Sequence, residues 1–352
     1  MKIGLALYGS LDGQSGGFRY DRRLVDSLRA TGATVEVVEL PWRGYPRGLL
    51  DNCVASVRKR LDREVDLWLQ DELAHPSLLR ANRGLEVPVV GIVHHLRASE
   101  TRLLAPVYRR IERQYLQTLD GLICNSHATR DSVTALGVTE AATLIAPPAG
   151  DRFDPDIGPA TIRDRATREP LSVVALGTVE PRKGQDTLLD ALARVSAPWE
   201  LTIIGRQVDP SYRRALDRQI ESHGLGAQVE MSGELPDDAV RAELRAAHLL
   251  ALPSRYEGFG IAYLEGMSFG LPAIATAAGG AAEVVTAETG ALVEPGDVRA
   301  LAEAIETYAN DRDHLAHAGV RARRRYESHP GWAETGRRVR EFLESILNGE
   351  LA

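Results

Sequence analysis

The chain has 352 residues, 44% hydrophobic and 26% charged, which is ordinary for a globular protein and long enough for two domains with separate cores. Its net charge of −7 speaks against nucleic acid as a partner. Two cysteines, Cys53 and Cys124, with no Cys-x2-Cys pair, exclude a disulfide scaffold and suit a reducing cytoplasm.

From the first residue onward, short apolar runs alternate with helical stretches. The run Ile3 to Tyr8 is too short for a signal core and ends at Gly9, and no later run approaches a transmembrane length. Strands are predicted at Ile3 to Tyr8, Val35 to Leu40, Asp66 to Gln70, Val89 to Val93, Leu122 to Asn125 and Thr143 to Ala146. Helices are clearest at Phe18 to Thr31, Ala105 to Thr118 and Ala128 to Leu136. Pro147 to Arg168, rich in Pro, Gly, Asp and Arg, reads as an interdomain linker. A second series follows, with strands at Leu171 to Gly177, Leu201 to Gly205, Val229 to Met231, Leu249 to Leu252, Ala273 to Ala275 and Ala291 to Val293. The tail from Trp332 to Leu347 carries a helical stripe at Val339, Phe342, Leu343 and Ile346. The expected architecture is α/β, with one layered domain over residues 1–150 and another over 169–330.

In parallel sheets, ligands bind beyond the carboxyl ends of the strands, so the residues just after each strand are the candidates. After the first strand, Gly9 to Gly17, including Gln14, Gly16 and Gly17, is a loop opening a helix that could cradle phosphate. A nicotinamide site is the alternative there, with Glu39 as the ribose acid, but no Gly-x-Gly-x-x-Gly is present. His94 and His95 end the fourth strand and point different ways, so at most one faces the crevice. A zinc site from His94, His95, Cys124 and His127 lacks a recognised spacing. Asn125 and Ser126 follow the fifth strand, where Ser126 could simply cap the next helix.

Residues 1–150 hold 19 Lys and Arg against 17 Asp and Glu, leaving −9 in the remainder. Arginines 97, 102, 109, 110 and 113 could meet an acidic acceptor or an anionic membrane; the plainer reading is a solvated helix face paired with Glu100 and Glu112.

The most informative stretch runs from Pro253 to Val285. A buried strand leads through Pro253-Ser254-Arg255-Tyr256-Glu257-Gly258-Phe259-Gly260 into a helix carrying Glu265. Gly258 and Gly260 let a ligand approach the open helix amides, while Glu257 in the loop and Glu265, roughly 8 Å down the axis from the helix start, could hold two parts of one extended ligand. An activated sugar fits: hexose and ribose hydroxyls for the acids, a diphosphate for the helix end. Earlier, Glu180-Pro181-Arg182-Lys183-Gly184 stands at another strand end, where Arg182 and Lys183 could neutralise a diphosphate. Gly205-Arg206 and Ser232-Gly233-Glu234 follow the next two strands. Gly279-Gly280 opens a further helix, where packing and ligand roles are equally open.

These residues resemble the retaining glycosyltransferases of family 4, which carry a Glu-x7-Glu motif in this setting. The likeness extends to the flanks Pro253-Ser254, Leu264-Glu265-Gly266-Met267, Gly270-Leu271-Pro272-Ala273-Ile274-Ala275 and Ala278-Gly279-Gly280. The resemblance implies a GT-B fold, two Rossmann-like domains facing each other across a cleft, with a last helix (about 331–352) crossing back onto the first. It makes Glu257, Lys183 and His94 the catalytic set, Lys183 binding the diphosphate with Arg182 as a second charge. Many members have Arg where Thr178 stands, and the acid that usually follows the histidine is here His95. It gives Gly258, Phe259, Gly260 and Glu265 to the donor, Gly205, Arg206 and Glu234 to the base-binding turns, Gly16 and Gly17 to the cleft, and Asn125 and Ser126 to the acceptor side.

The implied reaction is retaining transfer of a hexose, from GDP-mannose or a UDP-glucose type donor, to a hydroxyl of a carbohydrate or lipid-linked acceptor in glycan or glycolipid synthesis. Glu-Pro-Arg-Lys leans towards GDP-mannose. No metal or other cofactor is expected, the leaving phosphate takes the acceptor's proton, and a peripheral contact at the inner membrane face stays open. The competing classes are a non-catalytic sugar-nucleotide-binding module, a nicotinamide oxidoreductase, and a phosphorylase or epimerase on the same fold.

Overall fold

The computed structural model describes residues 1–13, 15–99 and 104–350. Gln14, Glu100 and Arg102 lie outside the described residues. The chain divides into two compact units, one formed by Met1–Pro148 with Pro330–Ala352 and the other by Ala149–His329.

The first unit is built on strands β1 (Lys2–Tyr8), β2 (Thr34–Leu40), β3 (Leu67–Asp71), β4 (Val89–Val93), β5 (Gly121–Cys124) and β6 (Ala142–Ile145). They form one parallel sheet in the order β2-β1-β3-β4-β5-β6. Every residue of β3, β4 and β5 is buried, which is why β4 and β5 read as unbroken apolar runs rather than alternating ones, while β3 ends on the buried polar pair Gln70 and Asp71. Helix Gly16–Ala30 is capped by Ser15 and buries Tyr20, Asp21, Leu24, Val25 and Leu28 along one stripe. One member of that apolar stripe is an acid.

The last helix, Trp332–Leu347, packs in this unit against helix Gly16–Ala30. A Cβ at Gly336 would fall 1.7 Å from Ser27 Oγ, so only glycine permits the approach. Thr335 Oγ1 donates to the Pro147 carbonyl (3.0 Å) and Arg338 Nη2 to that of Ile145 (2.9 Å).

In the second unit, strands β7 (Leu171–Leu176), β8 (Trp199–Ile204), β9 (Val229–Gly233), β10 (Leu249–Leu252), β11 (Ala273–Thr276) and β12 (Gly290–Val293) form a parallel sheet ordered β12-β11-β10-β7-β8-β9. The chain enters at the centre, builds to one edge and returns to build the other. The order reverses between β7 and β10, and in the first sheet between β1 and β3; such switch points open the crevice in which doubly wound folds bind ligands.

The stretch expected to be a linker is structured. Phe153, Ile157 and Ile162 are core residues of the second unit, and helix Pro159–Ala166 directs the buried Arg165 guanidinium onto the carbonyls of Phe269 (3.0 Å) and Gly270 (2.9 Å). Its apolar residues are spaced too irregularly to show a period. Among the described residues, no helix is long and apolar enough to cross a membrane.

Candidate active site

In the second unit, the loops after β7 and β10 meet at the switch point. Lys183 Nζ donates to Glu257 Oε1 at 2.6 Å, and Ser254 Oγ donates to the same oxygen at 2.7 Å. Arg182 Nη1 stands 3.9 Å from Glu257 Oε2 and donates to the Tyr256 carbonyl at 3.2 Å; its Nη2 reaches Glu180 at 2.7 Å. Burial pushes the Glu257 carboxyl up, but the charges of Lys183 and Arg182, with the hydrogen bonds from Lys183 and Ser254, outweigh it and hold the group below its ordinary value. Glu257 is therefore an anion inside a cationic pocket.

Glycines make this convergence possible, because here backbone packs on backbone. Gly184 has φ +70°, and a Cβ there would sit 2.2 Å from the Pro253 carbonyl oxygen. Gly279 has φ +72°, with its Cβ position 1.9 Å from the Glu257 carbonyl oxygen, and Gly280 N donates to that carbonyl at 2.8 Å. The Gly279-Gly280 pair thus has a packing role, tying the loop after β11 to the loop that carries Glu257. Arg255 N donates to the Arg182 carbonyl (2.7 Å), completing the stitching of the β7 and β10 loops.

Helix Ile261–Ser268 starts from Gly260, which is left-handed at φ +100°. Phe259 is buried and packs on His329 with ring centroids 5.7 Å apart, so its side chain belongs to the core and only its backbone borders the helix tip. Glu265, also buried, faces Arg152 Nη1 at 3.5 Å, and Arg152 reaches on to Asp237 at 2.5 Å. Sequence reading missed Arg152, Ser254 and Asp237. Gly205 lies directly on the backbone of Gly177, while Arg206 and Glu234 are exposed after β8 and β9.

The first unit holds a second cluster. His94 is buried at the end of β4; its Nε2 lies 3.1 Å from Asp21 Oδ1, and its backbone N donates to Glu72 Oε2 at 2.9 Å. Asp21 Oδ2 is buried without a hydrogen-bond partner. One atom each from Asp21, Asp71 and His94 lie within 4.8 Å of one another, close enough to share a cation or a proton; the zinc set imagined from His95, Cys124 and His127 is not what the fold assembles. Burial alone would lower the His94 pKa, but Asp21, by charge and hydrogen bond, followed by Asp71 and Glu72, raises it to about 9. Burial and then Asp21 push Asp71 up to about 7. Burial and Asp71 push Glu72 well above its ordinary range.

Gly17 lies against this histidine, its Cβ position 3.2 Å from His94 Cδ2, whereas Gly16 is exposed at the helix start. Ser126 is fully buried as the cap of helix His127–Ala135, accepting from Thr129 N at 3.0 Å, and Asn125 Oδ1 accepts from Thr129 Oγ1 at 2.9 Å. Both side chains serve the helix start. Within the arginine cluster, Arg97 and Glu112 depart from a solvated face: Glu112 is buried and accepts from Arg97 N at 2.6 Å, and the Arg97 guanidinium lies over the rings of Tyr45 (5.4 Å) and Tyr108 (5.3 Å). Arg109, Arg110 and Arg113 are exposed.

Two family models match, "Glycosyl transferases group 1" over residues 162–325 and "Glycosyl transferase 4-like domain" over residues 12–149. Among curated relatives, a GDP-mannose-dependent monoacylated alpha-(1-6)-phosphatidylinositol monomannoside mannosyltransferase of Corynebacterium glutamicum is 34% identical over 53% of this chain. The match spans 52% of that relative, about half its length. A phosphatidyl-myo-inositol mannosyltransferase of Mycobacterium leprae is 28% identical over 98% of this chain and 97% of its own. A solved structure of sucrose-phosphate synthase from Thermosynechococcus elongatus superposes with a TM-score of 0.85 over 99% of both chains at 21% identity, and the shared fold is GT-B. With both halves matched, the chain belongs to the retaining glycosyltransferases of family 4, the glycosyl transferases group 1.

Proposed function

We propose that the chain transfers a hexose, mannose from GDP-mannose in the first place, to a hydroxyl of a carbohydrate or lipid-linked acceptor, with retention and without a metal. The observation that carries this is the Lys183 and Glu257 pair, 2.6 Å apart at the switch point of the second sheet. A diphosphate arriving there draws Lys183 and Arg182 onto its oxygens, and their charge stabilises the nucleoside diphosphate as it leaves. The freed Glu257 carboxylate accepts from sugar hydroxyls, and Glu265 from the ribose. With Glu257 taken up by the sugar hydroxyls, the leaving phosphate takes the acceptor's proton on the face from which the sugar departs.

The names of the mannose-transferring relatives support the donor and a phosphatidylinositol-type acceptor. On the first unit, Arg109 borders a cavity of about 300 Å³ otherwise lined by Leu96, Ala98, Ala135 and Leu136 among others, which suits an acceptor with an apolar part and an anionic group. Exposed Trp42, Leu50 and Val54, with the basic Arg43 and Arg47 in the same stretch, suit a peripheral membrane contact. The test is product formation from GDP-mannose or UDP-glucose with phosphatidylinositol-containing vesicles, with and without EDTA. Mannosylated lipid that forms undiminished in EDTA supports the reading. Release of neither nucleotide with any acceptor in the panel contradicts it.

A further inference from the structure

The reaction proposed above uses Glu265 but not the cation set against it. Arg152 stands in the stretch that the sequence presents as a linker, and the fold places it, with Glu265 and Asp237, wholly inside the second unit. Its Nη1 faces the buried Glu265 Oε1 at 3.5 Å, while Nη2 (2.5 Å) and Nε (3.2 Å) both donate to Asp237 Oδ1.

Three contacts fix that guanidinium. Gly150 brings the backbone down onto helix Ile261–Ser268, since a Cβ there would fall 2.5 Å from Leu264 Cβ. Tyr326 Oη donates to the Phe153 carbonyl at 3.3 Å, holding the far end of the segment. The Arg152 guanidinium then lies over the ring of Phe153, a fully buried core residue, 4.7 Å from its centroid. A planar fork seated on a ring, with two of its donors on one carboxylate oxygen, keeps little freedom, so its remaining edge is aimed at Glu265.

Neutralising Glu265 would not by itself require Asp237. The Asp237 side chain is 63% exposed, where an ion pair adds little to stability. What that contact supplies is geometry. Asp237 begins helix Asp237–Ala246 after β9, Glu265 lies on the helix after β10, and β7 and β8 separate those two strands in the sheet. Arg152 therefore ties the acid after β10 to the loop after β9, across the switch point between β10 and β7. Burial works against its charge, but the hydrogen bond to Asp237 and the charge of Glu265 outweigh burial and raise its pKa.

We propose that Arg152 is a positioning residue that sets the Glu265 carboxylate for the vicinal hydroxyls of the donor's ribose, and so makes the site select ribonucleotides over 2′-deoxyribonucleotides. This rests on the donor reading above and deepens it, adding the residue through which the ribose acid is aimed and the selectivity that follows. A carboxylate has about four acceptor positions, so an arginine edge at one oxygen is compatible with a ligand's hydroxyls at the same group. A loosely held carboxylate would reach those hydroxyls too, but would lose its freedom only on binding, at a cost in affinity.

The experiment is calorimetric titration of the chain with GDP, UDP and the 2′-deoxy form of each, alongside kcat and KM for GDP-mannose turnover. In the unaltered protein the preferred ribonucleotide binds at least about tenfold more tightly than its deoxy form, the loss expected for one charge-assisted hydrogen bond. Arg152→Met brings that ratio within about threefold by weakening the ribonucleotide and not the deoxy form, and raises KM about tenfold with kcat changed less than about threefold. Arg152→Lys, which keeps the charge without the fork, recovers part of the lost affinity. Asp237→Asn, at an exposed site that does not threaten the fold, narrows the ratio in the same direction, and it alone decides if Arg152→Met does not fold. A ratio unchanged in these variants overturns the proposal and leaves the donor reading standing. So does a fall in affinity shared equally by the ribose and deoxyribose forms, the mark of a purely structural residue, or an unaltered protein that binds both forms equally. An unaltered protein that binds neither ribonucleotide overturns the donor reading and the proposal with it. Ribose selectivity that depends on Arg152, in a protein that transfers no sugar, supports the proposal while contradicting the proposed function.

Discussion

Lys183 Nζ and Glu257 Oε1 form a 2.6 Å ion pair that joins the loop after β7 to the loop after β10. The pair sits at the one place in the second sheet where neighbouring strands send their connections in opposite directions, so both side chains face a crevice. On the proposed reading, the lysine that meets the diphosphate is held, before any ligand arrives, by the acid that meets the sugar.

Removing that lysine separates two effects. Lys183→Ala leaves Glu257 buried with Ser254 and the more distant Arg182, costing about 1–3 kcal/mol of stability. Turnover falls by about a hundredfold or more, while donor affinity changes far less, because the charge acts mainly on the departing phosphate. Denaturant melts and steady-state kinetics check both; unchanged turnover contradicts the diphosphate role.

Gly184 tests whether the crevice depends on close backbone contact. Gly184→Ala needs a positive φ and places a methyl 2.2 Å from the Pro253 carbonyl oxygen, so one loop must move. The expected cost is at least about 1 kcal/mol, with donor affinity lowered, since Lys183 moves with the loop. Gly224→Ala, at a positive φ with nothing near its Cβ position, should show the conformational cost alone and leave donor affinity intact.

Arg152 and Glu265 call for a double-mutant cycle. Arg152→Met strips the buried Glu265 of a cationic partner and should cost about 2–4 kcal/mol. Adding Glu265→Gln should recover much of that stability, because no buried charge remains at that end. Thermal or urea unfolding of the four proteins gives the coupling energy; simple additivity contradicts the pairing.

Stability of the first unit should fall as pH rises, opposite to the usual carboxylate trend. His94 is raised from 6.5 to about 9, so its contribution is complete below 6.5 and lost as pH climbs through 9. Asp71 is raised from 3.8 to about 7, so its share is lost between those values. Glu257 in the second unit is lowered, and its contribution disappears as pH falls below its ordinary 4.5. Unfolding followed by probes in each unit from pH 4 to 9 checks the signs, and Asp71→Asn should flatten the slope between 4 and 7.

The sheets were legible in the sequence because fully buried parallel strands are short apolar runs bounded by turn residues. Val89–Val93 and Leu249–Leu252 coincide with their predicted limits, and most others shift by one or two residues. The Glu257 loop was legible because glycines and acids punctuate it. Arg152 was hidden in a stretch read as a linker, where Phe153 and Ile157 follow no period. The acids around His94 did leave a trace: Asp21 interrupts the apolar stripe Tyr20, Leu24, Val25 and Leu28, and Asp71-Glu72 ends a strand without a polar residue on either face except Gln70. Their convergence could not be read, because it depends on β3 pairing beside β1, and only the sheet order supplies that.

The central claim, that the Lys183 and Glu257 pocket grips an activated sugar through its diphosphate, is tested most directly by a crystal structure with GDP-mannose or, in parallel, UDP-glucose. The account predicts that Lys183 leaves Glu257 for a diphosphate oxygen while Glu257 accepts from the hexose. A bound nucleotide lying elsewhere, with the Lys183 and Glu257 pair still closed, contradicts it.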